Sequence, residues 1–458
     1  MKNLINYCAI LMMGSMLYPC TTVLVGRALT VDGSIIHAHN EDMGNRTVGR
    51  LWKVQSDLST EPDSIWVPYV TIPELGEKLG YWASGNTSQV QKDELNNATL
   101  PYDNILVGMN EAGLTMSCNW MYSKDEVLEE KGVRRYAIRQ LILERCSSAS
   151  EAVTMIGNLI DTYGQADWGG LTYVLADKNE GWIVETTTHC WVAKKLKDYE
   201  IIAIANRYTI EEDFDLSSKN LIQYATDKKW YDPADGNFNF KNVYGDQEYM
   251  NEKYDKDREE RVYQLLNEKK GNIRPVDLMT VLRDRYNNTD EYTSPTTFEP
   301  DRLTCRERDA KRPICTNLCQ SSFVAHLRQN LPVEYGSVFW YTMATPAYGP
   351  YFPIYPFGSE IDKPFSLDNP DETESSAWWT YRHLQQIIDI SDEETIDRTR
   401  KEAGEITEAI KEKQSDREKK LQDYINSGKI LQAREIANKQ STQSAQKSLQ
   451  YAKTVVKR

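Results

Sequence analysis

An α+β fold built on antiparallel sheets is predicted by two observations. Strand-like and helix-like segments come in separate blocks, and the strand blocks are joined by turn signals and not by crossover helices. Aliphatic and aromatic residues make up 40% of the 458 residues, enough for a sizeable core. The first block, Thr21 to His39, reads as a β-hairpin: TTVLVGRAL, a turn at Val31-Asp32-Gly33-Ser34, then SIIHAH in rough alternation. Such a hairpin brings Cys20, at its head, close to the polar cluster His39-Asn40-Glu41-Asp42 at its end. Residues 104 to 120 repeat the pattern around the turn Asn110-Glu111-Ala112-Gly113. Two helices follow, from Tyr136 to Cys146 and from Ser150 to Tyr163, the second preceded by a Ser148-x-x-Glu151 capping box. Leu171 to Ala176, Gly181 to Thr187, Trp191 to Lys195 and Ile201 to Asn206 are strands at meander spacing. From Ser391 the composition turns to Glu, Lys, Gln, Ala and Arg, which predicts a solvated helical hairpin or tail broken at Asn426-Ser427-Gly428. It has no sustained heptad for a coiled coil, and the chain has no internal repeat.

The formal net charge is −14 and the pI near 5.1, which disfavours nucleic acid or an anionic membrane surface as a partner. A small peptide or other small molecule fits better. Residues 1–19 have the layout of an export signal: Lys2, an apolar run from Ile5 to Leu17, then a break. The run is too short for an ordinary spanning helix, so no stable membrane insertion is expected after processing. An exported protein, periplasmic or extracellular, is the expectation. Tyr18 and Pro19 are not the small residues that signal peptidase or lipoprotein processing prefers, so both routes stay open.

Removing the leader discards Cys8 and leaves Cys20, Cys118, Cys146, Cys190, Cys305, Cys315 and Cys319. With Cys20 set aside for chemistry, the other six form up to three disulfides or remain buried thiols. Cys305, Cys315, Cys319 and His326 match no standard zinc spacing, and neither a metal nor a cofactor is expected.

Amide hydrolysis needs a nucleophile, a proton acceptor that later protonates the leaving amine, and donors for the oxyanion. A cysteine that begins a chain supplies the first two. Its amine titrates at about 8 and its thiol at about 8.5, so proton exchange between them is cheap near neutrality. Asp42 is the candidate to hold that amine or thiol, since the hairpin returns it towards Cys20; a turn or capping carboxylate is the bland reading.

Cys20-Thr21-Thr22-Val23-Leu24-Val25-Gly26, Asp32-Gly33-Ser34 and Asn40-Glu41-Asp42 together resemble the opening of the C69 family of dipeptidases, N-terminal-nucleophile hydrolases related to penicillin V acylases and conjugated bile acid hydrolases. Val107 to Leu114, Gly181 to Thr186, Ala205-Asn206-Arg207, Ser337 to Trp340 and Ser376 to Trp379 agree in order and spacing, so the resemblance covers about residues 20 to 390. It implies a four-layer αββα sandwich with the nucleophile on an inner strand. The chain then divides into a signal or pro-segment (1–19), the hydrolase domain (20–390) and a charged helical C-terminal extension (391–458). The resemblance makes Cys20 the nucleophile and Asp42 the acid near its amine, with Asn119, through its backbone, and Asn206, through its side chain, as the oxyanion donors.

This chain departs from the acylase relatives in two places. His39 stands where they have an arginine three residues before the aspartate, and is a candidate to orient the site or bind a substrate carboxylate. A later arginine, expected near Ser321 to Val324, is missing; Arg207 and Arg328 are the candidate replacements. Three functions follow: a cysteine-type dipeptidase acting through an acyl-enzyme on Cys20; an acylase on N-acyl amino acids, penicillin V or bile conjugates; or a lipid-anchored binding protein whose Cys20 amine is blocked. The sequence carries no signal for an oligomeric state.

Overall fold

The computed structural model describes residues 20–43, 48–57, 64–67, 70–73, 76–86, 104–125, 131–167, 169–250, 253–292, 294, 311–367 and 375–458. Residues 1–19, expected to be a leader, and Cys305 lie outside these. Its strands are β1 (Thr21–Val25), β2 (Ile35–Asp42), β3 (Gly49–Val54), β4 (Ser64–Val67), β5 (Val70–Pro73), β6 (Tyr81–Asn86), β7 (Ile105–Asn110), β8 (Thr115–Met121), β9 (Gly170–Ala176), β10 (Gly181–Thr186), β11 (Trp191–Lys195), β12 (Ile201–Ile204), β13 (Leu216–Ser217), β14 (Cys319–Leu327), β15 (Ser337–Met343) and β16 (Phe352–Ile354). The main helices are α1 (Arg135–Arg145), α2 (Ala149–Tyr163), α3 (Lys253–Leu266), α4 (Pro275–Leu282), α5 (Ala377–Asp389), α6 (Glu393–Lys411), α7 (Gln414–Asn426) and α8 (Ile430–Val456).

Two antiparallel sheets carry the fold. One runs β12-β1-β2-β14-β15-β16 and the other β13-β11-β10-β9-β8-β7-β6-β3, with β4-β5 a separate ribbon. Helices α1 and α2 pack on the outer face of the second sheet, and α3, α4, α5 and α8 on that of the first, giving the α+β, αββα layering that the resemblance implied. Strands buried on both faces lose the clean polar alternation of a half-exposed sheet, which is why β9 is apolar almost throughout and β1 runs Val23-Leu24-Val25 after its two hydrogen-bonded threonines. The C-terminal helices pack beyond the first sheet.

The opening hairpin forms, but not through a tight turn. Residues 26–34 join β1 to β2 through a short 3₁₀ turn (Arg27–Leu29) and Gly33 at φ +72°, a conformation that a Cβ would strain. The register pairs Thr21 with Asn40 and Thr22 with His39, so the next step out sets Cys20 opposite Glu41. The expected capping box at α2 is half realised: Ser148 Oγ accepts from Glu151 N, while the Glu151 carboxylate reaches Ser147 N in place of the cap residue's own N–H.

One open alternative closes and one expectation changes. Cys118, Cys146, Cys190, Cys315 and Cys319 are all buried free thiols, so no disulfide exists among the described residues; each packs in a core able to stand without staples. The charged tail is not a solvated hairpin. It breaks where expected, after Asn426, but α8 lies on β16 and α5 and buries Ala433, Ala437, Ala445, Leu449, Ala452 and Val455 in the main core cluster. The stripe is made mostly of Ala and Ser, which let helices approach closely yet read as weakly apolar. Ser448 Oγ donates to Pro350 O at 2.9 Å, and Arg328 forks onto Glu418 of α7 with both bonds at 2.7 Å. Among the described residues, no helix is long and apolar enough to cross a membrane.

Burial of Leu449 distinguishes a packed α8 from a solvated one. Leu449→Ala should lower unfolding free energy by about 2–5 kcal/mol, read from urea midpoints, whereas a surface leucine would change it by less than about 0.5 kcal/mol.

Candidate active site

Cys20 sits at the entrance to β1, and strand alternation sends its neighbours to opposite layers. Thr22, His37, His39 and Glu41 face the second sheet: His37 lies between Thr115 Oγ1 and Ser117 Oγ of β8, 2.9 Å from each. Thr21, Asn40 and Asp42 face the helices instead; Asn40 Nδ2 donates to Leu282 O of α4 at 2.9 Å. The thiol of Cys20 therefore meets Glu41, with Sγ 3.5 Å from Oε1. Burial pushes its pKa well up, and the carboxylates of Glu41 and Asp42 add to the rise, while the Asp42 backbone N–H favours the thiolate.

The carbonyl of Cys20 is gripped from both sides. Asn119 Nδ2 on β8 donates to Cys20 O at 3.2 Å and to Ala205 O at 2.9 Å, stitching the two sheets together. Arg258 Nη1 on α3 donates to Cys20 O at 2.7 Å and to Thr21 Oγ1 at 3.1 Å. The same guanidinium reaches Asn206 Oδ1 at 2.8 Å and pairs with Asp255 one turn back. Arg258 and Asp255 are both fully buried. Because Asn206 Oδ1 is taken by a cation, its Nδ2 is fixed as the donor, and it meets Trp120 O at 2.9 Å.

These contacts also settle a tautomer. Asn119 Nδ2 donates to carbonyls, so its Oδ1 is the acceptor of the Thr22 hydroxyl at 2.6 Å. Thr22 has a single hydrogen and spends it there. Its oxygen must then accept from His39 Nδ1, 2.6 Å away, which places a proton on Nδ1 and turns Nε2 towards Glu41 Oε2 at 3.1 Å.

Of the sequence candidates, Cys20, His39, Asn119 and Asn206 are joined by these bonds, directly or through Arg258 and Thr22. Asp42 is close, but on the helix side of β2, so the group against the thiol is Glu41. Burial raises the Asp42 carboxyl to about 7 against the pull of Arg258, Thr316 and Arg312. Arg207 is committed to Glu259 on α3, with Nε 2.9 Å from Oε2, and Arg328 to Glu418. His39 is fully buried, its two ring nitrogens both engaged. Asn119 uses its side chain as a strut between sheets. Beyond Gly108↔Met116, β7 and β8 no longer pair, and Arg139 of α1 reaches Ile105 O there.

Arg258 escaped notice because it lies in a helix of predominantly charged sequence, Lys253–Leu266. The signal was spacing: Asp255, Arg258 and Glu259 continue, at helical intervals, the stripe of Val262 and Leu266, so the buried face of α3 begins in charge and ends in apolar side chains. Glu41 and Thr22 became legible only once the register was known.

Residues 19–404 match the description of Peptidase family C69. A "Probable dipeptidase" of Latilactobacillus sakei is 24% identical over 403 residues, 81% of each chain. A "Probable dipeptidase B" of Lactococcus lactis is 25% identical over 380 residues, 73% of this chain and 74% of its own. The structure of penicillin V acylase from Agrobacterium tumefaciens aligns at a TM-score of 0.41 and 15% identity, covering 73% of this chain and 86% of the acylase.

Removing the buried guanidinium leaves Asp255 uncompensated, so Arg258→Met should cost about 3–5 kcal/mol in denaturant unfolding. The Asp255→Asn/Arg258→Met double variant should cost less than the two single changes added together. Asp42 holds its proton to about pH 7 when folded, against an ordinary value of 3.8. Its stabilising contribution is then complete below about pH 4 and lost as the pH rises through about 7. Wild-type stability should therefore fall relative to Asp42→Asn across that window, measured by unfolding at a series of pH values.

Proposed function

The chain belongs to peptidase family C69, and from that premise we propose that it is a cysteine-type dipeptidase, exported and cut before Cys20, that hydrolyses dipeptides or short peptides through an acyl-enzyme. The observation that carries this reading is the setting of Cys20. Its thiol lies between two sheets, 3.5 Å from a carboxylate, with its carbonyl held by Arg258 and Asn119, so the nucleophile is preorganised on rigid elements. The names of the lactic acid bacterial relatives support a dipeptide substrate.

In the proposed reaction the freed α-amine of Cys20 takes the thiol proton as Sγ attacks the peptide carbonyl. A thiol raised by burial needs this: proton transfer at the moment of attack removes the requirement for a standing thiolate. Asn206 Nδ2, oriented by Arg258, and the Asn119 backbone receive the oxyanion. The ammonium of Cys20 then protonates the leaving amine, the C–N bond breaks, and water, deprotonated by the same amine, releases the acyl group from sulfur. Asp42 sits on the side of β2 away from the thiol and steadies the ammonium form.

Cys20→Ala should reduce dipeptide hydrolysis by roughly four orders of magnitude or more, and Asp42→Asn should lower kcat by roughly 10²-fold or more. A dipeptide panel should be turned over far faster than penicillin V, N-acyl amino acids or bile conjugates; the reverse order would replace the dipeptidase with an acylase. Mass measurement of the mature N-terminus should find an unmodified Cys20, whereas an acylated amine would rule the mechanism out.

A further inference from the structure

Cys20, His39 and Glu41 converge in a way that peptide hydrolysis by a terminal cysteine does not require. One donor atom from each, Sγ, imidazole nitrogen and carboxylate oxygen, lies within 4.8 Å of the other two. The closest approaches are 3.5 Å from Sγ to Oε1 and 3.1 Å from Nε2 to Oε2. Zinc bonds of about 2.3 Å to sulfur and about 2.0–2.2 Å to nitrogen and oxygen put neighbouring donors of a tetrahedron roughly 3.3–3.7 Å apart. The approaches of the thiol and the imidazole to the two oxygens of Glu41 are thus near the edge lengths of a zinc site, and all three donors lie within 4.8 Å of one another, so a small rotation of the carboxylate would bring one oxygen to both.

The second shell points the same way. A ligating imidazole needs its lone pair facing the metal and its other N–H held by a partner. Thr22 does this for His39: with the threonine hydrogen spent on Asn119, Nδ1–H is anchored and Nε2 faces Glu41. Thr22 and Asn119 are themselves fully buried, so the tautomer is locked by the core. Thiolate, imidazole and carboxylate together suit zinc better than the hard cations calcium or magnesium, which prefer oxygen.

We propose that Cys20, His39 and Glu41 form a zinc site that ties up the nucleophile and holds the enzyme inactive. The binding step releases the thiol proton and the proton shared between Nε2 and Glu41, and the ion gains Sγ, Nε2 and a Glu41 oxygen, with a fourth position open to water. In a chain beginning at Cys20, the α-amine can take that position and close a five-membered chelate with Sγ. Inhibition rests on the proposed peptidase reading; binding does not.

The test is zinc titration of the metal-free protein against a chromophoric chelator, beside the spectrum of the same protein loaded with cobalt. One zinc per chain is expected. Cys20→Ala should abolish binding, His39→Ala and Glu41→Gln should weaken it by at least about 10-fold, and Thr22→Val by roughly 10–100-fold. Cys146→Ser should bind as wild type does. Cobalt in the unaltered protein should give a thiolate charge-transfer band in the near ultraviolet, a readout that needs no variant to fold. An absent band, or zinc affinity unchanged in His39→Ala or Glu41→Gln, overturns the site. Dipeptide turnover unaffected by stoichiometric zinc overturns the inhibition, and a protein that binds zinc yet hydrolyses no dipeptide when metal-free overturns the peptidase reading alone.

Discussion

The register of β1 against β2 is the constraint on which the site depends. Side chains alternate between the two faces of a strand, so a slip of one residue would exchange the layers that Cys20 and Thr21 address. In the observed register the thiol enters the space between the sheets and meets Glu41, while Thr21 and Asp42 meet the helix layer and Arg258. Each strand also pairs on its far side, β1 with β12 and β2 with β14, so the register is held by four strands and not by the loop that joins two. That loop is nine residues long and would enforce little by itself.

Charge is the second organising element. Buried ions are costly unless paired and hydrogen-bonded, and here they are both. Asp255 supports Arg258, Arg258 spans Cys20, Thr21 and Asn206, and Glu259 beside it holds Arg207 and accepts from Ala205 N. Helix α3 acts as a rack of charges pressed against the entrance to β1 at Cys20 and the segment that follows β12. An arginine suits this position better than a lysine would, because a planar fork can satisfy several oxygens at fixed angles while an ammonium is a point charge on a flexible stem.

Most of the fold was legible from local pattern. The block order of strands and helices, the meander from Gly170 to Ile204 and the Ser148 cap depend on residues close in sequence, and each appears within a few positions of expectation. Cys20 and His39 came into view through the local hairpin, and Asn119 and Asn206 only through the resemblance; the structure brings the four into one hydrogen-bonded neighbourhood. Glu41 was in view but outranked by Asp42, since choosing between adjacent carboxylates requires knowing which face each one takes. Arg258 was hidden because a helix that buries charge looks, by composition, like one that exposes it. The same ambiguity concealed α8, whose buried stripe of Ala and Ser mimics a polar surface.

The bond between Arg258 and the carbonyl of Cys20 joins residues 238 apart, and Asn119 reaches the same carbonyl across 99. Contacts of such sequence separation carry a large loop-closure cost and raise the contact order on which folding speed depends. A partly folded chain has a cysteine but neither of the clamps that orient it. The setting of Cys20 is in this way a reporter of completed topology: its carbonyl is held from both sides only when distant segments have closed upon one another.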